Sequence, residues 1–153
     1  MRELRNGEAL AAQNSAVLRV GPAAPPERIL PTVPASHRID PGQRLVIRTF
    51  EGVLTDEDLL QDQAALRSAP DYKPEHRQLI DARGVERAEI TNEVIRDLAH
   101  ASPGAPQARR AFVVASDLAF GLARMFEIQR ADAPEEVRVF RDMDQARTWL
   151  GLD

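Results

Sequence analysis

The chain contains no cysteine. That excludes a disulfide framework, thiolate chemistry and any cysteine-based zinc site. Lysine is nearly absent as well: Lys73 stands alone among arginines. With the many alanines, this is the composition of a GC-rich bacterial coding sequence, and it says nothing about mechanism. The net charge of −4 offers no basic stripe for nucleic acid. No apolar run approaches the ~20 residues that cross a bilayer. Glu3, Asn6, Gly7 and Glu8 interrupt the start before an apolar signal core could form. A cytoplasmic protein without membrane insertion is expected.

The chemical motifs are also missing. Neither G-x-G-x-x-G nor a Walker-type G-x-x-x-x-G-K occurs, so no nucleotide cofactor is expected. His37, His76 and His100 fall in neither H-x-x-x-H nor H-E-x-x-H, which argues against a metal site. There is no G-x-S-x-G elbow for a serine hydrolase. The adjacent Glu135-Glu136 read as solvated carboxylates, and no general acid or base can be named. No catalytic residue, metal or cofactor is therefore assigned, and the chain reads as a non-enzyme.

What remains is a chain of 153 residues, 43% apolar, enough for one domain with a proper core. Residues 1–36 stand apart. Pro22, Pro25, Pro26, Pro31 and Pro34 remove backbone donors and fix φ, so this stretch is neither helix nor central strand. It reads as a largely disordered extension, with Ala16–Val20 compatible with a short strand. Residues 37–153 form the expected domain.

Within it, strand and helix signals alternate. His37–Asp40 and Arg44–Leu54 flank the turn sequence Pro41-Gly42-Gln43, predicting a hairpin. Gly52 inside the second strand suggests a bulge or a close backbone approach. Thr55 caps a helix that begins Asp56-Glu57-Asp58, acids that suit the positive helix end. Its stripe is Leu59, Leu60, Gln63 and Leu66. Gln78–Asp81 is a strand signal ending at Ala82-Arg83-Gly84. Thr91 starts a helix with the stripe Val94, Ile95, Leu98 and Ala99, stopped by Ser102-Pro103-Gly104. Ala111–Ala115 is a run of five apolar residues, suited to a central strand buried on both faces. Ser116 or Asp117 caps a third helix with the stripe Leu118, Leu122, Met125 and Phe126. Val137–Phe140 is the last strand, and Asp142 caps a helix carrying Met143, Ala146, Trp149 and Leu150 inward. The order β-β-α-β-α-β-α-β-α predicts an α/β fold. Its sheet has four to five strands, mostly parallel, with about four helices and an N-terminal antiparallel hairpin.

Several segments carry a family resemblance. They are Gly52-Val53-Leu54-Thr55-Asp56-Glu57-Asp58 and Gln78-Leu79-Ile80-Asp81-Ala82-Arg83-Gly84-Val85. They continue with Phe120-Gly121-Leu122-Ala123-Arg124-Met125, Val137-Arg138-Val139-Phe140-Arg141-Asp142, Ala146 and Trp149-Leu150. Together, over His37 to Leu150, they resemble the STAS domain of anti-sigma-factor antagonists, in its SpoIIAA-like or STAS/SEC14-like bacterial branch. The resemblance implies a non-catalytic regulatory or protein-interaction module, with a protein partner or a second copy as a homodimer. The alternative is a carrier or sensor of a small apolar ligand or lipid. In the antagonists, a serine of an Asp-Ser-Ser-Gly motif is phosphorylated. Counting from Asp81 places Glu89, Ile90, Thr91 and Asn92 on that motif, so the resemblance implies Thr91 as a phospho-acceptor. As a residue, Thr91 is also a sufficient helix cap.

Two further sites follow from the residues. Arg83, Gly84 and Arg87 form an expected anion-binding loop beyond a strand end, near helix starts. The third helix spreads Phe120, Met125, Phe126 and Ile128 around more than one face, which suggests an interface or an apolar pocket.

Overall fold

In the computed structural model, the described residues are 33–101 and 105–152. The proline-rich residues 1–32, Ala16–Val20 and the Ser102-Pro103-Gly104 stop lie outside them. Five strands and four helices follow the expected order: β1 Ala35–Asp40, β2 Leu45–Thr55, α1 Asp56–Ser68, β3 Arg77–Glu89, α2 Asn92–Ala101, β4 Arg109–Val113, α3 Asp117–Gln129, β5 Glu136–Phe140 and α4 Met143–Trp149. The first strand begins at Ala35, two residues before the expected start of the domain at His37.

The hairpin turns through Pro41–Arg44, where Arg44 takes φ 54° and Asp40 accepts from the Gln43 amide at 3.1 Å. β1 and β2 pair antiparallel; all other pairings are parallel, in the order β1-β2-β3-β4-β5. β4 is flanked by parallel neighbours on both sides, and Ala111 and Val113 have no exposed surface. The central strand is where the sequence puts it.

β3 runs eight residues past Asp81, to Glu89. The stretch Ala82-Arg83-Gly84 does not end it, and Arg83, Gly84 and Arg87 lie on a strand, not a loop. The pairing with β2 absorbs two bulges, which the sequence signals only at Gly52. There φ is +70°, open to glycine at little cost. At Gly84 the constraint is proximity, since a Cβ would stand 2.9 Å from the Glu51 Cβ.

Strands that add consecutively in one direction through right-handed crossovers place α1, α2 and α3 on one face. Leu59, Val94, Leu98, Ala119 and Ala123 accordingly pack with Phe50, Ile80 and Phe112. The chain reaches the other face only after β5, where Ala146 and Leu150 of the α4 region pack on Leu45, Leu79, Ala111 and Val113.

Two helix stripes differ from expectation. On α1 the buried set is Leu59, Asp62 and Leu66, and Leu60 is 46% exposed. On α3 the buried set is Ala119, Ala123 and Phe126, and Leu118 points outward. Ser116 caps this helix, accepting from the Ala119 amide at 3.0 Å. Alanines against the sheet let its backbone come close, and the larger apolar side chains move to the flanks.

Candidate functional site

Strand alternation places arginines on the helix-covered face. Arg48 lies in phase with Val46 and Phe50, and Arg110 in phase with Phe112. Both are buried, as is Arg130 at the end of α3. A buried guanidinium needs a carboxylate and further acceptors. Arg48 donates from Nε and Nη2 to Oδ2 of Asp62 at 2.9 and 2.7 Å. His37 Nδ1 donates to the other oxygen of Asp62 at 2.9 Å. Glu135 receives Arg110 Nη2 at 3.1 Å and Arg130 Nε at 3.1 Å, and Arg130 also donates to the Ala99 carbonyl at 2.7 Å. Glu135 is therefore a buried counter-ion, in contrast to the solvated pair expected, whereas Glu136 stays exposed beside Arg109. Burial pushes the Arg110 guanidinium below its ordinary pKa, opposed by Glu135 and reinforced by Arg48 and Arg130.

An apolar pocket of about 90 Å³ opens between this face and the three helices. Phe50, Ala82, Phe112 and Val114 supply the sheet side; Leu59, Ile95, Leu98, Ala119, Ala123 and Phe126 supply the helix side. The strand register sets its polarity. Arg110 and Arg48 line it toward the strand starts, and half-buried Val85 and Ala88 on the long β3, with Ile90 just after it, line the other end. The guanidiniums are held against pocket rings: Arg110 over Phe126 at 5.1 Å and Arg48 over Phe50 at 5.2 Å.

Of the apolar residues singled out on α3, Phe126 lines this pocket and stacks edge-on with Phe112 at 5.5 Å between centroids. Phe120 packs against the same core from the flank, with Arg141 over its ring at 4.7 Å. Met125 is half-buried near Phe126, and Ile128 is 63% exposed. The four residues do not form one cluster.

Thr91 sits before α2, with its hydroxyl donating to Asp56 at 2.9 Å and accepting from the Val94 amide at 3.2 Å. Asp56 also accepts from the Thr91 amide at 2.8 Å. Arg83 is bidentate on Asp81, at 2.9 Å from Nε and from Nη2, which holds the Asp81 carboxyl below its ordinary range. Arg87 faces Glu89 at 3.0 Å. Both arginines thus carry local carboxylate partners, and Gly84 is accounted for by its contact with Glu51.

Among the described residues, no three or more histidine, aspartate or glutamate side chains are grouped to hold a metal ion. No helix among them is long and apolar enough to cross a membrane.

One solved structure that matches is an uncharacterised protein of the DUF3478 family with a SpoIIAA-like fold, from Shewanella loihica PV-4. It covers 76% of this chain and 93% of its own, at 24% identity and a TM-score of 0.50. The chain has a SpoIIAA-like fold. No family model and no curated protein matches it. The SpoIIAA-like resemblance read from the sequence thus holds at the level of fold, with the mixed sheet and four helices in place. A fold hosts many functions, so activity has to be argued from the pocket and its arginines.

Proposed function

We propose that this SpoIIAA-like domain is a non-catalytic binding module that takes a small, largely apolar molecule between its sheet and its three covering helices. The observation carrying this reading is the apolar pocket beside Phe50, Phe112, Ala123 and Phe126. A concave site lined by apolar side chains with a few placed polar groups is the usual form of a small-molecule site. The polar side chains lining it are Arg48, Gln63 and Arg110. None is a nucleophile or a group that exchanges protons near neutral pH, which favours binding over catalysis. At about 90 Å³ the pocket is smaller than the ~150 Å³ cavity that admits benzene. A small guest fits this space better than a complete lipid.

Native mass spectrometry of the full chain purified from cells tests the reading. A retained small molecule is expected, lost in Ala123→Phe, whose ring would fill the pocket. A mass equal to that of the bare chain, together with no uptake of added apolar compounds, would reject it.

A second reading, regulation through protein contact, is favoured by the outer side of α3. Leu118 is 57% and Ile128 63% exposed there, with Met125 between them on the same side of the helix. Under that reading the surface joins a partner or a second copy, and sedimentation velocity should show a dimer that Ile128→Asp dissociates.

A further inference from the structure

Buried charged side chains surround the pocket. Among the described residues, three guanidiniums (Arg48, Arg110 and Arg130) are buried with two carboxylates, Asp62 and Glu135. His37 donates to Asp62 as well. Burial is the main cause that disfavours the charged form of Arg110; Glu135 opposes it, and Arg48 and Arg130 add to it. Arg110 is also incompletely satisfied. It is 3% exposed, and its Nε–H has no acceptor. Its strand neighbour Gln78, equally buried, has an Oε1 with no donor, so these two groups do not satisfy each other. A buried, unpaired donor on a cation carries a full desolvation cost unless something accepts from it. Arg110 lines the pocket, and its guanidinium is steadied by the Phe126 ring and by Glu135.

We infer that the pocket's ligand is a monocarboxylate with a short apolar body, its carboxylate received by Arg110 near the strand starts and its body lying among Phe50, Phe112 and Ala123. This rests on the pocket reading above and adds the sign and class of the ligand's head group. A carboxylate supplies the acceptor that the Arg110 Nε–H lacks. Guanidinium is the side chain suited to a planar carboxylate, and it offers charge-assisted bonds that an alcohol cannot match. The pocket volume favours a body of a few carbons over a long acyl chain.

Isothermal titration of the full-length protein with butanoate, butan-1-ol and butan-1-amine separates the possibilities, because the three share one short apolar body. Butanoate should bind at least ten-fold more tightly than butan-1-ol, and butan-1-amine should give no heat. Butanoate affinity should fall at least ten-fold in Arg110→Met, while butan-1-ol binding in that variant is unchanged or stronger. Ala123→Phe should abolish binding of both. If butan-1-ol comes within ten-fold of butanoate, or butan-1-amine binds as well as either, the carboxylate assignment is wrong and the apolar pocket stands. If none of the three binds, both readings fall. Should Arg110→Met not fold, the ranking of the three compounds on the unaltered protein decides alone.

Discussion

The two faces of this sheet are built from the same five strands and differ in almost every physical respect. The face under α4 is packed by Leu45, Leu79, Ala111, Val113, Ala146 and Leu150, all between 0 and 3% exposed. The face under α1, α2 and α3 carries buried arginines, two buried carboxylates and the pocket. Ion pairs taken out of water recover their desolvation cost only with excellent geometry, so the second face is a poor way to gain stability. Paired charges beside open apolar space fit the binding role proposed above. Both faces carry buried apolar cores, and the reading proposed above assigns recognition to the charged one.

The sharpest break in this contrast is at Glu135. Glu135→Ala leaves Arg110 and Arg130 buried without their carboxylate. A loss of about 3–5 kcal/mol in urea-unfolding stability is expected. A variant as stable as the parent would show that these charges are hydrated and the face is not truly buried. On the other face, Leu79→Ala should cost about 3 kcal/mol by transfer and cavity terms. Butanoate affinity should be untouched by it, and a coupled loss of binding would show that the two faces are not independent.

Acid provides an intermediate test. His76 is 4% exposed and its Nδ1 has no partner. Burial is the main cause that holds its pKa below 6.5; Arg44 and Lys73 add to this, and Glu75 and Asp71 oppose it. The unfolded chain therefore takes up this proton before the folded one does. Stability from His76 is fully present above about pH 6.5 and declines as pH falls toward the depressed folded value. Urea midpoints for the parent should drop between pH 7.5 and 5.5, and His76→Gln should flatten that drop. An unchanged slope would assign the acid sensitivity to other groups.

Thr91→Ala removes the cap of α2 and its bond to Asp56, and about 1 kcal/mol of stability should go with it. If incubation with a partner kinase labels the parent and not this variant, Thr91 has a phospho-acceptor role in addition to capping. The smallest effect is expected at Ile128, on the outer side of α3. Ile128→Asp should change stability by less than about 0.5 kcal/mol. Any change in sedimentation coefficient would then report on contact between copies and not on folding.

The sequence reveals the regular part of this molecule well because periodicity and capping are local. The central strand Ala111–Val113, the Thr55 cap and the stripe of α2 all follow from spacing alone. The extent of β3 does not, because its pairing beyond Asp81 depends on a partner strand far earlier in the chain and on two bulges. The phase of α3 is misjudged for a related reason. Leucine and methionine outweigh alanine in any apolar stripe, yet close approach to a sheet selects Ala119 and Ala123. The buried network is legible only in part. Arg48 and Arg110 occupy inward positions of alternating strands, and strand alternation by itself marks a charged residue at such a position as unusual. Their partners Asp62, on a neighbouring helix, and Glu135, in the approach to β5, become visible only when the chain is folded.

Xenon under pressure tests the contrast between the faces most directly, because it enters apolar space whatever chemistry the natural ligand has. In xenon-treated crystals of this protein, a bound atom should appear among Phe50, Phe112, Ala123 and Phe126, with none beneath α4. A pocket that takes up no xenon, or a xenon atom lodged between Leu79, Ala111 and Ala146 instead, would contradict the account.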